Sequence, residues 1–139
     1  MASRPPTLDG SVLAAVSVGG GLGATARYTI SHFWPVPVGR FPWSTFVVNV
    51  VGCFAIGVLM VVVTELLAAP KLVRPFLGIG VLGGFTTFST YSLETQRLLD
   101  HGAALTALSY AALSVLAGLG AVAVAIGMTR WAARARGFA

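Results

Sequence analysis

The segment Gly80-Val81-Leu82-Gly83-Gly84-Phe85-Thr86-Thr87-Phe88-Ser89-Thr90-Tyr91-Ser92 sets glycines, hydroxyls and aromatic rings inside an apolar stretch running from Pro75 to about Leu93. Glycine costs about 1 kcal/mol relative to alanine in a helix, and clustered Thr and Ser compete for their own backbone, so the pattern predicts a helix that breaks near its centre. Irregular backbone at membrane depth persists only where it is buried in protein or lines a polar cavity. A buried ion or solute site, and hence transport, is the first expectation.

The rest of the chain supports a membrane setting. Of 139 residues, 56% are hydrophobic and 9% charged, with a mean hydropathy of +0.86, which excludes an ordinary soluble domain and a disordered chain. Charges sit in short islands and leave uncharged runs at Gly10 to Ala26, Phe41 to Thr64, Pro75 to Leu93 and Gly102 to Thr129. These predict an all-α integral membrane protein with one domain over residues 1–139. Its four spanning helices are expected at about Ser11–Tyr28, Ser44–Leu66, Pro75–Leu98 and Ala103–Arg130, the first only marginally long. Trp34-Pro35-Val36-Pro37, Pro42-Trp43 and Pro70 fit connections at the headgroup level. The net charge of +5 is divided among loops and helix ends, so topology explains it better than nucleic acid. Asp9 before the first span and three spans after it argue against a cleaved signal. The single cysteine, Cys53, reads as a small packing residue.

No enzyme is predicted. Asp9, Glu65, Glu94 and Asp100 are scattered near span ends, and His32 and His101 lack a paired ligand pattern. On this reading no buried carboxylate obstructs an anion. Gly19 and Gly23, like Gly80 and Gly84, have the small-xxx-small spacing that allows helices to approach closely. Asn49 lies deep in the second span one turn beyond Thr45, and Tyr110 and Ser114 repeat that spacing on the fourth. Phe88 and Tyr91 are three apart and stack on one side of a helix resuming after the break. Their electropositive ring edges suit an anion. Arg27, closing the first span, is placed either to snorkel to headgroups or to concentrate anions at a pore mouth.

Three motifs carry a resemblance: Gly20-Gly21-Leu22-Gly23-Ala24-Thr25-Ala26-Arg27-Tyr28, then Ser44-Thr45-Phe46-Val47-Val48-Asn49-Val50-Val51-Gly52, then Gly83-Gly84-Phe85-Thr86-Thr87-Phe88-Ser89-Thr90-Tyr91-Ser92-Leu93-Glu94. In this order and at these separations the chain resembles the CrcB/Fluc fluoride channels along essentially its whole length. The resemblance implies a passive, fluoride-selective channel that lowers cytoplasmic fluoride. It also implies an antiparallel dimer of four-helix subunits, made with a second copy or with an oppositely oriented homologue, holding two fluoride paths and a structural sodium ion on the two-fold axis. By motif position, the backbone carbonyls of Gly83 and Thr86 face the sodium, Phe88 and Tyr91 are the aromatic-box positions, and Asn49 is the fluoride-contacting amide. Ser89, Thr90, Tyr110 and Ser114 are candidates for a polar track, with Thr45 beside it and Arg27 near the aqueous vestibule. The chain departs from the family at Tyr91, where Phe is usual, and at Ser44, where Gly is common.

Two other readings compete. A proton-coupled small multidrug-type transporter needs an ionisable carboxylate within its spans, and Asp9 and Glu65 fall at span ends. A noncatalytic membrane scaffold explains the glycines but not the Thr-Thr-Phe-Ser-Thr-Tyr run or Asn49. With four spans the two termini and the middle loop share one side, carrying Arg4, Lys71, Arg74, Arg130, Arg134 and Arg136 against Arg27, Arg40 and Arg97. That asymmetry predicts a multi-pass protein of the cell membrane with cytoplasmic termini, or both orientations if topology is dual.

Overall fold

The computed structural model describes residues 9–67 and 69–137, which are helical without a strand. Arg4, which the orientation argument uses, lies outside them. Helix α1 (Gly10–Phe33) starts where the Asp9 carboxylate accepts from the Ser11 amide at 3.0 Å and hydroxyl at 2.7 Å, satisfying one of the free N–H groups of the first turn. It runs further than the expected Ser11–Tyr28 and stops at Trp34, where Pro35 disfavours helical backbone in the residue before it. Helix α2 spans Trp43–Leu66, α3 Arg74–Asp100 and α4 Ala104–Ala135, and these three are long and apolar enough to cross a membrane. Four such spans are expected from the sequence. The 24 residues of α1 reach about 36 Å, but glycines, hydroxyls and Arg27 dilute its apolarity.

Two stretches are wound more loosely than an α-helix. The last turn of α2, Val62–Leu66, is π-helical and closes with the Leu67 amide on the Val62 carbonyl at 2.9 Å. The first nine residues of α3, Arg74–Leu82, are π-helical as well. Pro75 withholds an amide there, and Gly78 and Gly80 put no side chain on the widened turns. Three α-helical residues, Gly83–Phe85, follow. Thr86 (φ −75°, ψ 156°) and Thr87 (φ −148°, ψ 126°) are then extended. The second half of α3, Phe88–Asp100, begins with the Thr87 hydroxyl accepting from the Thr90 amide at 3.2 Å. Its end is a Schellman turn. Gly102 takes φ +72°, its amide reaches Leu99 O, the Ala103 amide reaches Leu98 O, and Ala103 packs on Leu98.

Helix α1 lies along the first half of α3, α2 lies along α4, and the second half of α3 leans on α4. The extended pair therefore marks where α3 changes partner. The α1–α3 seam is backbone against backbone: a methyl on Gly19 would lie 2.5 Å from the Phe76 carbonyl oxygen, and methyls on Gly23 or Gly84 would collide with the carbonyls of Val81 and Gly20. The two glycine pairs singled out by spacing thus meet each other. At one end of the bundle Lys71 pairs with Asp9, and Arg130 grips Glu65 through Nη2 at 2.6 Å. These half-exposed pairs add little stability but fix which helix ends meet. The hydrogen bonds from Lys71 and Ser11 hold the Asp9 carboxyl well below the usual carboxylate range. Phe41, Trp43 and Phe46 cluster at the other end, and Phe41 meets Tyr110 edge-on at 5.2 Å.

Candidate functional site

The interruption of α3 frees backbone groups, and one side chain of α2 gathers them. The Asn49 amide donates through Nδ2 to the Thr87 carbonyl at 3.0 Å and accepts from the Thr87 amide at 2.8 Å. An asparagine is the shortest side chain that offers both functions side by side, so it replaces the two bonds Thr87 would have made in a continuous helix. Gly52, one turn on, leaves room for the Thr86 methyl, which a Cβ would strike. The Thr86 amide and hydroxyl both end on Leu82 O, at 3.0 and 2.9 Å, and the Gly84 carbonyl accepts from Arg27 Nε at 3.3 Å. Arg27 is thereby half-buried and tied to the break rather than reaching freely for headgroups. Among the described residues no hydrogen bond ends on the carbonyls of Gly83 and Thr86.

Beside the break lies a groove of about 350 Å³ between α2, the second half of α3 and α4. Asn49, Thr87, Phe88, Tyr91 and Ser114 line it, with Cys53 and Gly118 further along. The rings of Phe88 and Tyr91 are 5.5 Å apart, and Phe88 is 78% exposed on the single chain. The Ser114 hydroxyl oxygen is buried with no partner. A buried hydroxyl left unsatisfied costs about 1–3 kcal/mol, so it marks a place where a polar guest is expected.

Other residues singled out from the sequence stand elsewhere. Thr45 and Tyr110, 2% and 0% exposed, do not line the groove. Both donate to Glu94, at 2.8 Å to Oε1 and 2.7 Å to Oε2. Glu94, read from the sequence as an acid near a span end, is half-buried between α2 and α4 and accepts one hydrogen bond on each oxygen. Its position three residues beyond Tyr91 on the same helical face was the available signal. Ser89 is exposed beside Thr87 Oγ1 at 3.3 Å, and Thr90 Oγ1 accepts from Thr87 Oγ1 at 3.1 Å, so both belong to the cap of the resumed helix. Tyr91 donates to Ala111 O at 3.2 Å and touches Tyr110 at 5.3 Å between ring centres. Sequence reasoning missed Thr87, whose role depends on backbone direction, while Cys53, read as a small packing residue, lies along the groove with its sulfur against Gly118.

The arrangement offers amide and hydroxyl groups with two aromatic rings along the groove, and carbonyls of Gly83 and Thr86 without hydrogen bonds at the break. Known proteins are similar to the chain in sequence. The family profile described as CrcB-like protein, Camphor Resistance (CrcB), matches residues 14–128. Fluoride-specific ion channel FluC 2 of Nocardia farcinica is 60% identical over 130 residues, covering 94% of this chain and 93% of that protein. FluC 1 of Streptomyces coelicolor is 56% identical over 123 residues, 88% and 77% of the two chains, and FluC of Saccharophagus degradans is 41% identical over 129 residues, 93% and 97%. With a match this long and this even along its length, the chain belongs to the CrcB family.

Proposed function

We propose that the protein is a fluoride channel of the cell membrane, conducting the ion passively outward and lowering its cytoplasmic concentration. Relatives that carry the name fluoride-specific ion channel support the reading, and the family leaves the multidrug-type and scaffold alternatives without support. The observation that carries it is the groove beside the break, whose lining brings together the unpartnered Ser114 hydroxyl and the rings of Phe88 and Tyr91.

Fluoride holds its water tightly, so a path through hydrocarbon must offer closely spaced donors in exchange. Asn49 has a second Nδ2–H beyond the one given to Thr87, and Ser114 has its hydroxyl. The N-terminus of the 13-residue second half of α3 points its positive end at the same place. Ring edges add contacts weak enough to release the ion. In this reading Arg27 concentrates anions near the break, and Thr45, Tyr110, Ser89 and Thr90 shape the path through Glu94 and Thr87.

The dimer is antiparallel, α1 is the fourth crossing, and the partner covers Phe88. Sodium on the two-fold axis takes the carbonyls of Gly83 and Thr86, hard oxygen atoms that the break leaves free of hydrogen bonds. Gly83 is exposed and a Cβ there would meet nothing nearer than Gly78 O at 3.8 Å, which suits approach by a second copy. Cytoplasmic termini follow from the basic residues at the end marked by Lys71 and Arg130, and the bias favours a homodimer inserted unevenly or a heterodimer with an oppositely biased homologue.

The test is fluoride efflux from liposomes, with chloride as control and gel-filtration profile as the folding check. Phe88→Ile keeps apolar bulk but removes the ring edge, and is expected to reduce flux strongly in folded protein. Parent-rate conduction by folded Phe88→Ile and Ser114→Ala would remove both from the path and this assignment with them.

A further inference from the structure

A groove of about 260 Å³ runs between the last turn of α2 and the end of α4, at the bundle end where Arg130 meets Glu65. Thr129, Ala132, Ala133 and Arg136 recur at helical spacing and form one wall. The π-helical turn of α2 forms the other, through Val62 and Leu66. Two alanines keep the α4 wall flat, and the Thr129 hydroxyl is spent on Ala125 O at 2.7 Å. The lining is therefore apolar except for Arg136. Among the described residues that guanidinium has no carboxylate within ion-pair distance, whereas Arg130, earlier on the same helix, is held by Glu65. The last carbonyls of α4, which would repel an anion, are partly occupied: the Arg136 and Gly137 amides donate to Ala133 O and Arg134 O, each at 3.1 Å.

Depth and charge together select the occupant. Trp131, 73% exposed on the same turns, puts this part of α4 at the level where bilayer and water meet. From Thr129 to Arg136 the helix climbs about 10 Å, so the groove reaches from the phosphates into the upper acyl chains. Lys71, Arg74, Arg130, Arg134 and Arg136 stand at this end against Asp9 and Glu65, an excess of positive charge among the described residues. We infer that the groove holds an anionic phospholipid, its phosphate on the Arg136 guanidinium and the first carbons of an acyl chain between α2 and α4. The planar fork of an arginine matches two phosphate oxygens, and an apolar wall in a bilayer takes up hydrocarbon. Phosphatidylcholine offers the same phosphate but carries its own cation into a basic site, so the charge balance favours an acidic headgroup. The inference needs only the membrane-spanning bundle and stands apart from the fluoride reading.

Native mass spectrometry of the full chain in detergent, mixed with equal amounts of dioleoyl-phosphatidylglycerol and dioleoyl-phosphatidylcholine, counts the lipid that stays bound. The parent is expected to keep phosphatidylglycerol in preference, and Arg136→Gln to lower its retention about fivefold or more. Ala132→Leu fills the groove without touching a charge and is expected to lower retention as well. Arg134→Gln removes the same charge from an exposed position outside the groove and is expected to bind like the parent. Since a ligand of the folded state stabilises it, phosphatidylglycerol is also expected to raise the melting temperature of the parent but not of Arg136→Gln, with gel filtration as the folding check. Equal retention of the two lipids by the parent would overturn the inference. So would equal losses for Arg134→Gln and Arg136→Gln, which would assign the effect to diffuse surface charge. A lipid-free parent dimer that falls to monomers in Ala132→Leu would show that a second copy, not a lipid, covers the groove.

Discussion

At the scale of single residues, hydrogen-bond bookkeeping separates side chains that hold the break from those free to meet an ion. Asn49 belongs mainly to the first group. Asn49→Asp keeps an acceptor for the Thr87 amide but turns a second carboxylate oxygen toward the Thr87 carbonyl. The loss is expected to reach about 1–3 kcal/mol in stability as well as most of the flux, and thermal unfolding in detergent alongside efflux measures both. Ser114 belongs to the second group. Ser114→Ala removes an unsatisfied hydroxyl, so the folded protein is expected to be as stable as the parent or more so while conducting less. An efflux loss accompanied by a matching stability loss would make Ser114 structural. Tyr91→Phe gives up one long bond to Ala111 O, worth about 1 kcal/mol at most, and is expected to conduct.

Among the elements, the α1–α3 seam and the interruption of α3 are built by opposite means. The seam uses the absence of side chains: Gly23→Ala would press a methyl into the Val81 carbonyl, with an expected cost of about 1–3 kcal/mol or more, whereas Gly20→Ala meets open space. The pair is a matched test by urea or thermal unfolding, and equal behaviour would mean that α1 does not sit this closely on α3. The interruption uses side chains as substitutes for lost backbone bonds, with Asn49, Arg27 and Thr87 each taking one or two. Spacing alone exposed the seam, because helical periodicity puts Gly19 and Gly23, or Gly80 and Gly84, on one face. It did not expose Asn49 as the clamp, since residues 49 and 87 are brought together only when α2 and α3 have packed.

For the whole molecule, the expected partner is a second copy, and Gly83 is where that is tested. Gly83→Val has space within its own chain, so a folded monomer that fails to dimerise is the expected outcome on gel filtration and crosslinking. A dimer that forms and conducts normally would end the close-approach and sodium proposals together. The bundle end marked by Asp9 and Lys71 is expected to ignore pH from 5 to 8. A carboxyl whose folded pKa is depressed contributes above its unfolded value, near 4, and loses that contribution only as pH falls through the folded value, which lies lower still.

The sequence by itself determined a helical membrane protein, the close glycine pairs and the family, because hydropathy, spacing and motif order are properties of residues near one another in the chain. Length and apolar runs also set the helices to within a few residues, except at the far ends of α1 and α4, which run on to Phe33 and Ala135 past the expected Tyr28 and Arg130. Tertiary structure alone decided which polar groups are spent and which are free. Glu94 reads as an acid near a span end, yet the packing of α2 and α4 against the second half of α3 surrounds it with the hydroxyls of Thr45 and Tyr110, withdrawing all three from the groove. Ser114 reads like Tyr110 one turn away, yet it is left without a partner. Hydrogen bonds between residues 16 to 49 positions apart depend on the distances that packing creates, and no local pattern encodes them.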